Sequence, residues 1–239
     1  MIDIATSDTL ENYLMICDCD GVLVDSEAIA ERIIVERLEA LWRQRGVQQV
    51  VRPLLGMRTE MVVARTAAAL GRTLDETQAA AIDAEVVRAA VQAPMIAGID
   101  EALAAIPLRK AVASNSFADY VKRVLDRTRL VKFFGERVFT ADMVPNPKPA
   151  PDVYLAAARR LRVAPERCVV VEDSVTGAGA AVAAGMAVLG YAGGAHAPEE
   201  QAEKLRSIGA NAVFYSMREL PLLVENWTQD QLVATSMRE

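Results

Sequence analysis

The chain has 239 residues, 52% of them apolar and 24% charged, an ordinary globular balance with room for one main domain and a small insertion. Its 32 acidic residues against 26 basic ones give a formal net charge of −6, which argues against a nucleic-acid partner, and no Lys/Arg run marks a membrane-binding patch. No apolar stretch reaches the roughly 18 residues a bilayer span needs.

Met1 to Tyr13 carries Asp3, Asp8 and Glu11 and lacks the basic start and apolar core of a signal peptide, so a cytoplasmic protein is expected. The first strand is predicted at Tyr13–Cys17, apolar throughout and therefore buried on both faces. It runs into Asp18-Cys19-Asp20-Gly21, where Gly21 suits a tight turn. Cys17, Cys19 and Cys168 form no disulfide framework, and with a single histidine in the chain they make a poor metal clip; buried, reduced thiols are expected.

From Ser26 to about Ala93 the apolar residues recur at helical spacing, in Ala28–Leu41, Glu60–Leu70 and Leu74–Val91, with Pro53, Gly56 and Gly71 as punctuation. Beyond Pro94 the pattern alternates. Strands are predicted at Leu108–Ala113, Val138–Thr140, Cys168–Val171, Ala187–Tyr191 and Ala212–Tyr215. Helices are predicted between them at Phe117–Arg127, Pro151–Leu161, Val175–Ala184 and Glu199–Ile208, while the tail after Glu225 is polar and receives no assignment. This order specifies an α/β protein: a Rossmann-like parallel sheet core, residues 1–25 and 94–239, with a small helical cap domain, 26–93, inserted after the first strand.

In open parallel sheets, ligands gather outside the carboxyl ends of the strands. Asp18 and Asp20 follow the first strand, Ser114 and Asn115 the second, and Glu172 and Asp173 the Cys168–Val171 strand; Lys148 lies in a proline-rich loop after the third. Four crowded carboxylates repel one another and call for a hard divalent cation such as magnesium, which takes few carboxylates together with phosphate oxygens. A carboxylate can attack phosphorus covalently, and a second one two residues on can protonate the leaving oxygen and then activate water. Lys148 and Ser114 can hold the phosphoryl oxygens. Taken singly, acidic residues after a strand are often helix caps, and Lys148 or Ser114 would pass for surface or turn residues. The convergence of four groups is what favours chemistry.

The run from Asp18 to Glu27 resembles the first signature of the haloacid dehalogenase-like superfamily. Ala113-Ser114-Asn115-Ser116 is similar to the second, Lys148-Pro149-Ala150-Pro151-Asp152 to the third, and Val170-Val171-Glu172-Asp173-Ser174 to the fourth, all in the family's order. The resemblance implies Asp18 as nucleophile and Mg2+ ligand, Asp20 as acid and base lending its carbonyl to the metal, and Ser114 and Lys148 as phosphoryl binders. It further implies Glu172 and Asp173 at the metal, Glu172 either directly or by orienting a bound water. Glu27, Gly56, Arg58 and Asn115 would join Ser114 and Lys148 against the substrate. The insert resembles the cap of the beta-phosphoglucomutase-like and phosphoglycolate phosphatase-like branch, in which Arg58 would sit in a loop facing the active site.

The implied activity is a magnesium-dependent phosphatase acting through an aspartyl-phosphate on a small phosphorylated metabolite, working as a monomer or weak homo-oligomer. A hexose phosphate, a sugar-acid phosphate and phosphoglycolate all fit. A sugar-phosphate mutase is the alternative, but Glu27–Glu31 lacks the histidine that mutases carry, and Thr59 stands where they place an arginine. A non-catalytic phosphometabolite-binding module is the further alternative. Gly177-Ala178-Gly179 fits no dinucleotide fingerprint and reads as small residues that let a helix approach the sheet, and His196 reads as a rim contact with solvent.

Overall fold

A computed structural model describes residues 10–194 and 200–236; His196 lies outside them. Six parallel strands form one sheet in the order β3-β2-β1-β4-β5-β6: β1 Leu14–Cys17, β2 Arg109–Ser114, β3 Val138–Thr140, β4 Cys168–Glu172, β5 Ala187–Tyr191 and β6 Ala212–Phe214. The registers Ile16↔Ala111 and Ile16↔Val170 put β1 at the centre. The chain builds outward through β2 and β3 and then returns to the other side of β1 with β4. The crevice of such a sheet therefore opens beside the carboxyl ends of β1, β2 and β4.

All four residues of β1 are buried because both faces are covered, as an apolar run without alternation requires. Leu14 and Ile16 join Ala111, Val170, Val153 and Ala157 on one face. Met15 and Cys17 join Val112, Val171, Val121 and Val124 on the other. The helices Asp152–Leu161 and Val175–Ala183 contribute to the first layer, and Ala118–Thr128 to the second. All three cysteines are buried and unbridged, and burial pushes the Cys17 and Cys168 thiols up to about 12.

The stretch between β1 and β2 folds as helices Glu27–Trp42, Gln48–Val51, Thr59–Ala69 and Glu76–Ala90 around a separate apolar cluster that includes Ile34, Leu38, Val62, Val63, Ile82 and Val86. A capping box starts the last of these: Asp75 accepts the Gln78 amide and the Gln78 side chain accepts the Asp75 amide. The stretch leaves and re-enters the core side by side. Asp25 N donates to Pro94 O at 2.9 Å, and Ile96 N donates to Leu23 O at 3.1 Å.

Besides the short helices Gln48–Val51 and Val131–Phe134, two helices that pack on the core depart from the sequence-based expectation. Ile99–Ala105 buries Ile99, Ala102 and Leu103 where no element is predicted. The tail, left unassigned, is the helix Leu220–Ser236. Leu220, Val224 and Trp227 recur at helical spacing and bury against the core, with Trp227 edge-on to Tyr13 at 5.7 Å between ring centroids. Among the described residues no helix is long and apolar enough to cross a membrane.

Candidate active site

Every strand-end residue singled out from the sequence, namely Asp18, Asp20, Ser114, Asn115, Lys148, Glu172 and Asp173, lines one cavity of about 400 Å³. Glu27, Gly56 and Arg58 line it as well, from the helical side.

Asp18 follows β1 directly, and its main-chain N–H donates to Val171 O of β4 at 3.0 Å, which ties it to the neighbouring strand. Its Oδ1 accepts from Lys148 Nζ at 2.6 Å. Lys148 also donates to Glu172 Oε1 at 2.7 Å and to Ala113 O at 2.9 Å, so all three ammonium protons are taken up inside the protein. The lysine side chain is 3% exposed. Asn115 holds this loop in place: its Oδ1 accepts from Lys148 N at 2.8 Å and its Nδ2 donates to Lys148 O at 3.0 Å. Both ends of its amide thus grip main chain, whereas the sequence reading set Asn115 against the substrate.

Glu172, at the end of β4, is buried and saturated. Oε1 accepts from Lys148 and, at 3.0 Å, from Tyr154 OH; Oε2 accepts from the amide and hydroxyl of Ser174, at 2.9 and 3.0 Å. Gly177 makes the room, since a Cβ there would stand 1.6 Å from Glu172 Oε1. The sequence reading took that glycine as a point of helix–sheet approach; what it admits is a carboxylate. Gly21 plays the same part for Asp173: at φ +85° a side chain is disfavoured, and a Cβ would meet Asp173 Oδ2 at 2.0 Å.

Asp18, Glu172 and Asp173 each present an oxygen within 4.8 Å of the others. Three buried carboxylates thus face one ammonium. Burial raises the Asp18 pKa well above the usual carboxylate range; Lys148 opposes the rise, while Glu172, Asp173 and Asp20 add to it. Burial alone would lower Lys148, but Asp18 and Glu172 outweigh it and raise the ammonium well above its ordinary value. Negative charge is in excess, and all its carriers are hard oxygens. That donor set of three clustered carboxylates fits a hard divalent cation, and Glu172 is the one whose two oxygens accept four protein donors.

Asp20 is held by hydroxyls that the sequence reading did not single out. Ser26 Oγ and Tyr120 OH donate to Oδ1 at 2.5 and 2.6 Å, and Ser116 Oγ donates to Oδ2 at 2.8 Å. Ser114 is buried, and its Oγ accepts from Ser116 N at 3.0 Å.

The helical side contributes a wall of Ile34, Leu55, Met57, Val62 and Val86. Gly56 sits where its loop meets the core, 3.2 Å from Ser174 Cβ and 3.5 Å from a Glu27 carboxyl oxygen for an added Cβ. Arg58 pairs with Glu60 at 3.3 Å and lies over the Phe117 ring at 5.2 Å, a contact from the helical stretch to the core.

Residues 14–185 match the family model of the haloacid dehalogenase-like hydrolases. The chain is 31% identical over 211 residues to hexitol phosphatase B of Escherichia coli O157:H7, covering 86% of this chain and 92% of that protein. It is 29% identical over 181 residues to 6-phosphogluconate phosphatase of Escherichia coli K12, covering 75% and 82%. Among solved structures, a conserved haloacid dehalogenase-like protein of Agrobacterium tumefaciens C58 superposes with a TM-score of 0.81 at 30% identity, over 89% of this chain and 97% of that one.

Proposed function

The chain belongs to the haloacid dehalogenase-like hydrolases, and from that membership we propose that it is a magnesium-dependent phosphatase of a sugar or sugar-alcohol phosphate. The observation that carries this reading is the buried set Asp18–Lys148–Glu172 beside Asp173 and Asp20 in one cavity, a nucleophile, a phosphoryl clamp and a cation seat within a few ångströms. The substrate class rests on the names of the relatives, hexitol phosphatase B and 6-phosphogluconate phosphatase. The absence of a histidine in Glu27–Glu31 supports hydrolysis over mutase chemistry.

Asp18 attacks phosphorus, so that its carboxylate oxygen gains a bond to phosphorus as the bond to the sugar oxygen breaks. Asp20 gives that departing oxygen its proton, and then takes one from the water that cleaves the aspartyl-phosphate. Ser114 and Lys148 hold the phosphoryl oxygens as charge builds, the lysine exchanging one of its protein acceptors for a phosphoryl oxygen. Asp18, Asp173 and the main-chain carbonyl of Asp20 would hold Mg2+, which neutralises the carboxylates and the phosphate when bound. Residues 26–93 form a cap whose apolar wall excludes water and selects the leaving group.

The test is turnover of para-nitrophenyl phosphate and of a hexitol phosphate with and without Mg2+. Both activities should require the metal, and Asp18→Asn should cost at least about a hundredfold on each while circular dichroism stays unchanged. Activity that survives exhaustive chelation, or an Asn variant retaining more than a few per cent, sinks the reading.

A further inference from the structure

The three hydroxyls on Asp20 come from three separate parts of the chain. Ser116 lies in the loop after β2, and Ser26 in the turn that leads into the helical stretch. Tyr120 is different. It stands in the first turn of the helix Ala118–Thr128, whose Val121, Val124 and Leu125 are buried in the layer beneath the sheet. Its ring is 6% exposed, and its hydroxyl reaches a carboxyl 100 residues away in sequence. A carboxylate oxygen only accepts, so in this contact the phenol hydroxyl is the donor. A group fixed through its ring to a packed helix fixes whatever it bonds.

We propose that Tyr120 is a positioning residue for proton transfer: its hydroxyl aims the Asp20 carboxyl into the cavity, and its removal penalises substrates in proportion to how badly their leaving oxygen needs a proton. The proposal rests on the acid–base reading of Asp20. A sugar alkoxide is a poor leaving group and departs only with its proton, whereas nitrophenolate departs without one. The parameter kcat/KM covers the steps up to departure of the leaving group and so isolates the acid role of Asp20 from its later role with water.

The experiment compares kcat/KM for a hexitol phosphate and for para-nitrophenyl phosphate in wild type, Tyr120→Phe, Asp20→Asn and the double variant, with Mg2+ saturating. Phenylalanine keeps the buried ring; 4-fluorophenylalanine at 120 replaces it should that variant unfold. General acid catalysis contributes about 100- to 10,000-fold, and a misplaced group forfeits part of it. Tyr120→Phe should therefore lower the hexitol value by about ten- to a hundredfold and the nitrophenyl value by less than about threefold. In the Asp20→Asn background the same change should cost nothing further. If Asp20→Asn lowers both substrates equally, the acid–base reading fails. If Asp20→Asn is selective but Tyr120→Phe is not, or if Tyr120→Phe lowers the Asp20→Asn enzyme further, that reading stands and the proposal falls.

Discussion

The two sides of the cavity are built on opposite rules. On the sheet side, Lys148, Glu172 and Asp18 are locked to one another and to main chain at hydrogen-bond distance, Asp20 is held by three side-chain hydroxyls, and Lys148 and Glu172 are almost without exposure. On the helical side the lining is mostly aliphatic, and its prominent charged group, Arg58, is 38% exposed and leans on Glu60 and Phe117. A saturated polar network tolerates no partial change, because each deletion strands a buried partner. An aliphatic wall tolerates volume-conserving exchange at small cost. On the proposed reading, the chemistry belongs to the saturated side, and the choice of leaving group to the side easier to alter.

Three substitutions break or sharpen this contrast. The largest effect belongs to Lys148→Ala, which removes the donor shared by Asp18, Glu172 and Ala113 and should cost about 100- to 1,000-fold in kcat. Because Lys148 is proposed to act on the phosphoryl end that all substrates share, a hexitol phosphate and para-nitrophenyl phosphate should suffer alike; a strongly unequal loss would erase the division between the two sides. Next comes Asp173→Ala, which deletes one carboxylate of the acidic cluster proposed to hold the cation. Magnesium titrations of activity should show the half-saturating concentration rising at least about tenfold, again for both substrates.

The smallest effect is that of Arg58→Ala on the opposite wall. A charge-assisted hydrogen bond to a substrate hydroxyl is worth about 1.5–3 kcal/mol, or roughly ten- to a hundredfold. Glu60 already competes for the guanidinium, which places the expectation near the lower end, about tenfold in kcat/KM for the hexitol phosphate. The nitrophenyl ester should lose little. Equal losses on both would make the Arg58–Phe117 stack a structural tie between the two sides rather than a specificity contact.

Much of this arrangement was legible in the sequence, for identifiable reasons. The strands β3 and β5 lie where the sequence puts them, because short runs rich in Val, Phe, Leu and Tyr between helical segments leave few alternatives. The strand-end acids and Lys148 stood out because their local context is unusual. The tail helix escaped because its polar residues, Glu225, Asn226, Gln229, Asp230 and Gln231, mask an apolar stripe at Leu220, Val224 and Trp227. Tyr120 escaped for a deeper reason. A lone tyrosine opening an amphipathic helix is ordinary, and only the fold brings its hydroxyl to Asp20. The grip of Asn115 on Lys148 is likewise a contact across 33 residues, invisible to any local pattern.

The paired crossing at Leu23–Asp25 and Pro94–Ile96 has a consequence for how such a protein can change. The helical stretch leaves the sheet and returns to it through two segments already joined by hydrogen bonds, so strand register does not depend on what lies between them, although Ser26 and Arg58 reach back to Asp20 and Phe117. Doubling the length of such a loop adds only about 0.6 kcal/mol of closure cost. A different bundle, longer or shorter, can therefore be grafted between the same two anchor points with no shift in strand register and no disturbance of Asp18, Lys148 or Glu172. If the helical stretch selects the substrate as proposed, that preference is transplantable, exchanged as a block while the phosphate chemistry beneath it stays as it was.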